Sequence, residues 1–508
     1  MDMSFTKHPV TVEETLFSAV VEIPVESTVN QRNTSGLKKI LKTCCRPAIT
    51  SKSLSEGAVN IEGTVGICLI CIDDNNELFS ADHFFTFNHK AEVPQGLASG
   101  KVHTEITDHN LTAAHGADGK ITVTGKICVR IKVIKYKESE VICDIDDDDF
   151  EKLNSSVQAT IPMGRGEKNL ILEEEVAIGN GQPDVDCLLR CCAEAVVEET
   201  KIVGSKVMVK GNVRIYVLYK PCEGTRPRSF EESFPFSQLL DVENINDDCK
   251  CEGRAEVIFF ELTPETSDDA VRSFNALMKI CVSAWCYCDN EIPVILDAYS
   301  TKLHCMPVQE DFTFRKLKEK VNERYIVKKQ IEFTDGAIGS VIDMWCDSRV
   351  DRCKFDIEGM KLSGSVTANI LVFDCEGVPE CHEKTIDFEY IYKPEAQLCT
   401  PDANVSVKVA HCSYTITGEN TLAISAEIII SAAIYDNEKI ALLSGIEEAP
   451  EGSAPDFSGS IVLYFANEGE RIWDIARRYN SSVCEIKELN NITADCLESC
   501  KKIIIPTK

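Results

Sequence analysis

Five of the nine histidines, all between residues 83 and 115, are the first residues to test for catalysis or metal binding. They are His83, His89, His103, His109 and His115. Zinc hydrolases place two histidines and a glutamate on one helix face, and structural zinc sites space their ligands at short fixed intervals. These histidines follow neither arrangement, so we expect exposed loop residues and no metal site.

The cysteines offer two further possibilities for chemistry. Cys68 and Cys71 have the spacing of a zinc or redox pair, but they lie in an apolar run typical of a strand. Residues three apart on a strand point to opposite faces and do not easily hold one ion, so we expect no zinc there. Cys381-His382 pairs a thiol with an imidazole outside any recognisable catalytic context.

Acidic and glycine-containing segments complete the search for chemistry. The acidic run Asp144–Asp149 lacks the alternating ligands and closing glutamate of a calcium loop, so we interpret it as a solvated linker. The stretch from Gly164 to Lys168 lacks the spacing of a phosphate-binding loop. We therefore expect no catalytic residues, no cofactor and no enzymatic activity.

Composition limits the possible partners. The chain has 508 residues, a formal net charge of −29 and 25 cysteines. A strongly acidic surface repels nucleic acid and anionic lipid, so we expect neither as a partner. The first residues lack a basic leader with an apolar core, and no run is long enough for a transmembrane segment. We expect a cytoplasmic protein whose cysteines are mostly thiols, with later oxidative cross-linking as the alternative.

A pattern of apolar, any, apolar, any, Gly, any, Val occurs three times along the chain. It contains Gly63, Gly211 and Gly364, and a phenylalanine follows each glycine at nearly constant spacing: Phe87, Phe236 and Phe388. The stretches LKKILKTCC, VDCLLRCC and GSVIDMWC precede the glycines and have helical apolar spacing. We predict three tandem β-rich repeats with antiparallel sheets and one short helix each. The glycine indicates a bulge or a close backbone approach.

The repeats, their linkers and the terminal segment give the predicted domain boundaries. Repeats are expected at 10–143, 167–305 and 324–444, with an acidic and polar linker at 144–166, a flexible linker at 445–460 and a terminal domain at 461–508. The second linker is rich in Gly, Ser, Pro and acidic residues. We therefore expect a multidomain, mainly β scaffold, a rod of repeats that carries a mobile terminal domain.

The terminal segment predicts the order strand, helix, helix, strand. An apolar strand near Ile461 precedes a Glu-Gly turn, and helical spacing then begins at Ile472. Ser482 and Glu485 have the spacing of a capping box, so the second helix should start near Val483. It should stop at Asn490-Asn491, before a β-branched run ending in Ile505-Pro506.

This order, with its Leu-Asn-Asn and Ile-Pro signatures, resembles a LysM domain. The resemblance implies a βααβ fold with a groove for N-acetylglucosamine between the turn before helix one and the loop after helix two. The groove residues would be Gly469, Glu470, Arg471, Ile472, Asn491, Ile492 and Thr493. Arg471 stands where the family usually has a capping Thr or Ser, a change that costs about 1 kcal/mol of helix stability.

Three such repeats followed by a LysM-like segment resemble a family of spore-envelope morphogenetic proteins with SPOCS-type repeats. The resemblance implies a non-enzymatic adaptor in the mother-cell cytoplasm, at the forespore surface and spore coat. Its partner would be the SpoIVA-like ATPase of the coat basement layer, bound through the LysM and repeat domains. The alternative is a protein that binds peptidoglycan glycan chains in the cortex or cell wall.

Overall fold

The computed structural model describes residues 4–29, 36–94, 97, 99–116, 120–224, 226–265, 271–303, 305–333, 338–449 and 461–507. Within these residues the chain is mainly β. Among the helices that the model describes, none is long and apolar enough to cross a membrane.

Within the described residues, eighteen strands before the terminal segment form three units of six. Unit 1 has β1 (Phe5–Val29), β2 (Leu37–Ser55), β3 (Ala58–Asp73), β4 (Leu78–Glu92), β5 (Lys101–His115) and β6 (Ile121–Ile145). Unit 2 has β7 (Phe150–Ala177), β8 (Val185–Val203), β9 (Lys206–Pro221), β10 (Arg228–Asp241), β11 (Lys250–Pro264) and β12 (Ser273–Ser300). Unit 3 has β13 (Cys305–Glu332), β14 (Ile338–Asp356), β15 (Gly359–Asp374), β16 (Pro379–Tyr392), β17 (Pro401–Gly418) and β18 (Thr421–Glu448).

The same pair of antiparallel sheets occurs in each unit. The sheet orders are β1-β6-β5 with β2-β3-β4, then β7-β12-β11 with β8-β9-β10, and β13-β18-β17 with β14-β15-β16. Alternating side chains of both sheets point inward, as in β18, where every second residue from Leu422 to Ile434 is buried. Each pair of sheets therefore encloses its own apolar core.

The repeated glycines lie where two backbones and a ring meet. Gly63 pairs with Phe87, Gly211 with Phe236 and Gly364 with Phe388 across the sheet. A Cβ atom on any of these glycines would collide with the phenylalanine ring and with a carbonyl oxygen of the neighbouring strand. The predicted close backbone approach is confirmed, because only glycine leaves room for the ring.

The predicted short helices are wrong: LKKILKTCC, VDCLLRCC and GSVIDMWC lie in β2, β8 and β14. Each strand contains two irregularities three residues apart at this point, as between Leu37 and Lys39 and between Ile40 and Lys42 in β2. A bulge shifts the two-residue alternation by one position, so two bulges produce the three- and four-residue apolar spacing of a helix.

The expected linker at 144–166 is also largely a strand. β6 ends at Ile145 and β7 begins at Phe150, so only 146–149 connects units 1 and 2. The polar residues that suggested a linker alternate with Val157, Ala159 and Ile161, which are buried between units. For the same reason units 2 and 3 begin at Phe150 and Cys305, ahead of the expected 167 and 324, and unit 1 spans Phe5 to Ile145.

The three units pack against one another and do not form the expected rod. One apolar cluster joins Val141 of unit 1, Val294 of unit 2 and Leu442 of unit 3. A second joins Ile70, Leu189 and Leu371 of the same three units. Ion pairs cross each boundary: Lys52–Glu167 at 3.0 Å, Arg190–Asp343 at 3.2 Å and Arg349–Asp108 at 3.1 Å. Every unit therefore contacts both of the others.

Two disulfides lie in unit 2, where the sequence suggested thiols. Cys249 bonds Cys288, and Cys251 bonds Cys286, its register partner across β11 and β12. Most of the other cysteines are thiols. The Cys251–Cys286 bond joins β11 to β12, and Cys249 directly precedes β11, so both bonds fasten one sheet rather than join it to another.

Candidate functional site

The terminal segment forms a small domain of two strands and two short helices. Its elements are β19 (Ile461–Ala466), α1 (Ile472–Arg478), α2 (Val483–Asn490) and β20 (Lys501–Pro506), with β19 antiparallel to β20. The core joins both helices and β20 through Ile472, Ile475, Ile486, Ile503 and Ile505. These apolar residues recur at helical spacing in the helices and alternate in the strand, which explains why local sequence defines the fold here.

The helix ends differ from the predicted caps. α2 begins at Val483 as expected, but the Ser482 side chain makes no capping hydrogen bond, so the predicted capping box is wrong. Arg471 is the N-cap of α1 and also makes no side-chain cap. The second helix ends at Asn491 in the left-handed conformation, with φ of 53°, which an asparagine adopts more readily than most residues.

The turn before α1 is tied to the loop after α2 by backbone hydrogen bonds. The Gly469 N–H donates to the Leu497 carbonyl at 2.8 Å, and the Leu497 N–H donates back to Glu470 at 3.0 Å. The Ile472 N–H donates to Asp495 at 2.8 Å. These bonds hold the turn before α1 against Asp495 and Leu497 of the loop after α2.

Individual groove residues have different roles. Arg471, Asn491 and Thr493 are exposed, and Gly469 is exposed with φ of +83°. Ile492 is half-buried against the core, while Ile472 is fully buried. Exposed side chains and backbone at four of the seven positions can face a ligand; the Ile472 side chain cannot.

Glu470 serves the turn itself. Its carboxylate accepts hydrogen bonds from the Tyr464 hydroxyl at 3.0 Å and from the Asn467 N–H at 2.9 Å. The Arg478 guanidinium donates to the same hydroxyl at 2.9 Å, and this bond raises the pKa of Arg478. The acid at this position therefore stabilises the turn rather than pointing into the groove.

The loop after α2 is held by an ion pair. Lys487 donates to Asp495 at 2.5 Å, and this hydrogen bond lowers the pKa of the Asp495 carboxyl. The Ile492 N–H donates to the Lys487 carbonyl at 2.9 Å, which closes the end of α2. Both contacts hold the loop that carries Asn491 and Thr493.

The terminal domain docks on unit 2, although the sequence suggested a mobile tether. The Trp473 indole Nε1–H donates to Asp297 at 2.9 Å, and Arg477 donates to the same carboxylate oxygen at 2.7 Å. The Tyr299 hydroxyl donates to the Ser481 carbonyl at 2.8 Å. Of the expected linker at 445–460, residues 445–448 belong to β18 and 450–460 lie outside the described residues.

Three side chains of this docking contact are almost fully buried. Asp297 is 6% exposed, Tyr299 3% and Trp473 8%. The Tyr299 and Trp473 rings meet edge to face with centroids 5.0 Å apart, and burial raises the pKa of Tyr299. Sequence reasoning missed Asp297, whose only signal was an acid within an otherwise apolar strand end. The groove residues Arg471, Asn491 and Thr493 stay exposed while the domain is docked.

The outer face of the β19-β20 sheet is apolar and exposed. Ile461, Leu463 and Phe465 of β19 are 65%, 50% and 72% exposed. Ile504 pairs with Leu463, and the Lys502 ammonium lies 5.4 Å from the centre of the Phe465 ring. The domain therefore presents an apolar strip beside the groove segments.

The remaining sequence candidates do not assemble into a reactive site. The five histidines lie on strands β4 and β5, so the expected loop placement is wrong; their strands alternate faces and place them mostly outside the core. The Arg165 guanidinium donates to His103 Nδ1 across the boundary of units 1 and 2, and burial beside that cation lowers the pKa of His103 to about 4. Burial raises the pKa of Cys381 to about 12.

Cys68 and Cys71 point to opposite sides of β3, as expected for residues three apart. The Cys68 thiol donates to the Leu189 carbonyl of unit 2 at 3.4 Å, whereas Cys71 lies in the core of unit 1. Among the residues that the model describes, no group of three or more His, Cys, Asp or Glu side chains is arranged to hold a metal ion.

Two protein-family models match the chain. The model described as SipL, SPOCS domain, matches residues 184–264, which span β8 to β11, and the LysM domain model matches residues 467–506. No curated protein and no solved structure matches the chain significantly. Residues 184–264 are therefore similar to the SPOCS domain of SipL, and residues 467–506 are similar to a LysM domain.

Proposed function

We propose that this chain is a non-enzymatic adaptor of the spore envelope. The observation that carries the proposal is the combination of a SipL-type SPOCS domain and a LysM domain on one chain. The family resemblance implies that both domains bind partners. A chain that contains both domains can therefore bring two partners together. Its place would be the mother-cell cytoplasm, at the surface of the forespore.

All three units would be SPOCS-type domains. Units 1 and 3 have the same two sheet orders as unit 2, which contains the matched segment. The paired Gly63–Phe87 and Gly364–Phe388 occupy the register of Gly211–Phe236. The shared strand order and the shared glycine–phenylalanine contact support a common origin of the three units. Three units with similar surfaces are suited to a scaffold.

The partner would be a SpoIVA-like ATPase of the coat basement layer. The docked LysM domain supports this proposal because its groove and its apolar strip both face outward, on a body that is otherwise strongly acidic. Arg471, Arg478 and Lys502 are exposed on that domain. An apolar strip beside cations suits an acidic protein surface with apolar side chains.

A second function, binding of peptidoglycan glycan chains, rests on the groove backbone. Three backbone hydrogen bonds hold the turn before α1 to Asp495 and Leu497, and Asn491 and Thr493 expose polar side chains earlier in the same loop. Polar groups along a preformed groove can form hydrogen bonds with the hydroxyl groups of N-acetylglucosamine. Under this function the same domain would attach the chain to the cortex or cell wall.

One experiment with two readouts separates these functions. Binding of the full-length chain is measured to the purified ATPase by interferometry and to purified sacculi by cosedimentation. The adaptor proposal expects ATPase binding that weakens at least tenfold in Arg471→Glu and little in Arg324→Glu, which makes the same charge change at an exposed position of unit 3. Glycan binding instead expects retention on sacculi that Thr493→Arg abolishes. Absence of ATPase binding by the unaltered chain would refute the adaptor proposal.

A further inference from the structure

Two cysteines of unit 3 meet where its two sheets touch. The edge strands β14 and β17 approach each other, and the Ser348 hydroxyl donates to the Val407 carbonyl at 3.1 Å. The Cys412 thiol lies 3.5 Å from the Met344 carbonyl of β14. Cys346 is two residues further along the same face of β14, so both cysteines lie on the facing edge strands at this contact. We call this edge contact the seam of unit 3.

Unit 3 differs from the other units at this seam. Sheet register places Cys45 and Leu111 of unit 1 at the positions of Cys346 and Cys412. The matching residues in unit 2 are Ala193 and Phe260. Within the described residues, the seam of unit 3 alone pairs two sulfur atoms. Because units 1 and 2 fill the position of Cys412 with Leu or Phe, packing does not require a cysteine at this position of unit 3.

The two thiols differ in acidity. The hydrogen bond from Cys346 lowers the pKa of Cys412, whereas the hydrogen bond to Cys412, together with burial, raises the pKa of Cys346. Burial raises the pKa of Cys45, at the matching position of unit 1, to about 12. The thiolate is the nucleophile in sulfur exchange, so Cys412 is the better attacking group and Cys346 a neighbouring second thiol.

We propose that Cys346 and Cys412 form a thiol–disulfide site that reacts with low-molecular-weight disulfides such as oxidised glutathione. The Cys412 thiolate attacks one sulfur of the small disulfide, which forms a mixed disulfide and releases one small thiolate. Cys346 loses its proton and attacks the Cys412 sulfur, which forms the Cys346–Cys412 bond and releases the second small thiolate. The small disulfide is reduced by two electrons, and the cysteine pair is oxidised by two.

The product would join the two sheets of unit 3. The disulfides of unit 2 bridge strands within one sheet, whereas a Cys346–Cys412 bond would connect β14 of one sheet to β17 of the other. Because both cysteines are half-buried, a small disulfide can reach the seam through side-chain motion at the sheet edge. Oxidation of the small thiols in its surroundings would therefore lead to a covalent link between the two sheets of unit 3.

The test is incubation of the full-length chain with oxidised glutathione, followed by alkylation and non-reducing peptide mapping. The proposal expects a Cys346–Cys412 cross-linked peptide that dithiothreitol removes. In Cys346→Ser the second step is blocked, so one glutathionyl group should accumulate on Cys412. In Cys412→Ser the attacking thiol is lost, and Cys346 should stay alkylatable.

Two thiols of the same chain serve as controls. Cys45 should remain a free thiol, because a leucine stands opposite it. Exposed Cys399 reports the general level of glutathionylation. The proposal is overturned if Cys346 and Cys412 are still alkylated after Cys399 has been modified, or if Cys346→Ser carries no more glutathione on Cys412 than on Cys399.

Discussion

Loss of the Asp297 carboxylate should release the LysM domain from unit 2. In Asp297→Ala the Trp473 indole N–H remains buried without its acceptor, which costs about 1–3 kcal/mol. Arg477 is 44% exposed and can return to water, so its ion pair adds only about 0.5 kcal/mol. The docking equilibrium should therefore weaken by about 2.5 kcal/mol, or roughly 60-fold.

The assay is solvent exchange of indole protons in the full-length chain, measured by NMR with ¹⁵N-labelled tryptophan. The chain has three tryptophans, so three indole signals are expected. The Trp473 indole proton should exchange about 60-fold faster in Asp297→Ala, while Trp285 and Trp345 keep their rates. Asp144→Ala is the matched control, since Asp144 follows the equivalent bulge in β6 and contacts Lys152. Unchanged Trp473 exchange in Asp297→Ala would refute the docking argument.

Three further predictions follow from packing and charge. Gly211→Ala should lower the free energy of unfolding by about 3 kcal/mol through overpacking against Phe236, whereas Gly179→Ala, which has open space around its Cβ position, should not. Asp343→Ala should lower it by about 3–5 kcal/mol, because Arg190 would be left buried and unpaired; urea unfolding monitored by circular dichroism measures both. His103 is largely buried and neutral, so stability should fall as the pH drops from about 6.5 towards 4, by at most about 3 kcal/mol, and His103→Gln should flatten this slope.

The sign of the histidine prediction follows from proton uptake. The pKa of His103 is lowered to about 4 in the folded chain, so between that value and the ordinary 6.5 the unfolded chain binds more protons. Stability then rises with pH through this window and is fully present above it. A steeper loss of stability in His103→Gln than in the unaltered chain would contradict the assignment.

The terminal domain was the part of the fold that sequence predicted best. Its strands, helices and turn follow from short-range patterns in the sequence. The capping-box prediction was wrong because the spacing of Ser482 and Glu485 does not determine where the Ser482 hydroxyl points. Of the groove residues, Ile472 belongs to the core, and Glu470 holds its own turn through Tyr464.

The repeated units were predicted less completely, for a physical reason. The repeated glycines Gly63, Gly211 and Gly364 predicted a close backbone approach. In the structure a phenylalanine ring and a carbonyl oxygen leave no room for a Cβ atom at these positions. The bulges of β2, β8 and β14 disguised strands as helices. The docking of Trp473 on Asp297 depends on residues far apart in the chain, and no local pattern reports such a contact.

The most direct test of the adaptor account is affinity capture from sporulating cells with the full chain and with a chain that ends at residue 460. The account predicts that the full chain recovers the SpoIVA-like ATPase as a stoichiometric partner and that loss of residues 461–508 removes it. Recovery of the ATPase to the same extent by both chains, or recovery of peptidoglycan fragments in place of any coat protein, would contradict it.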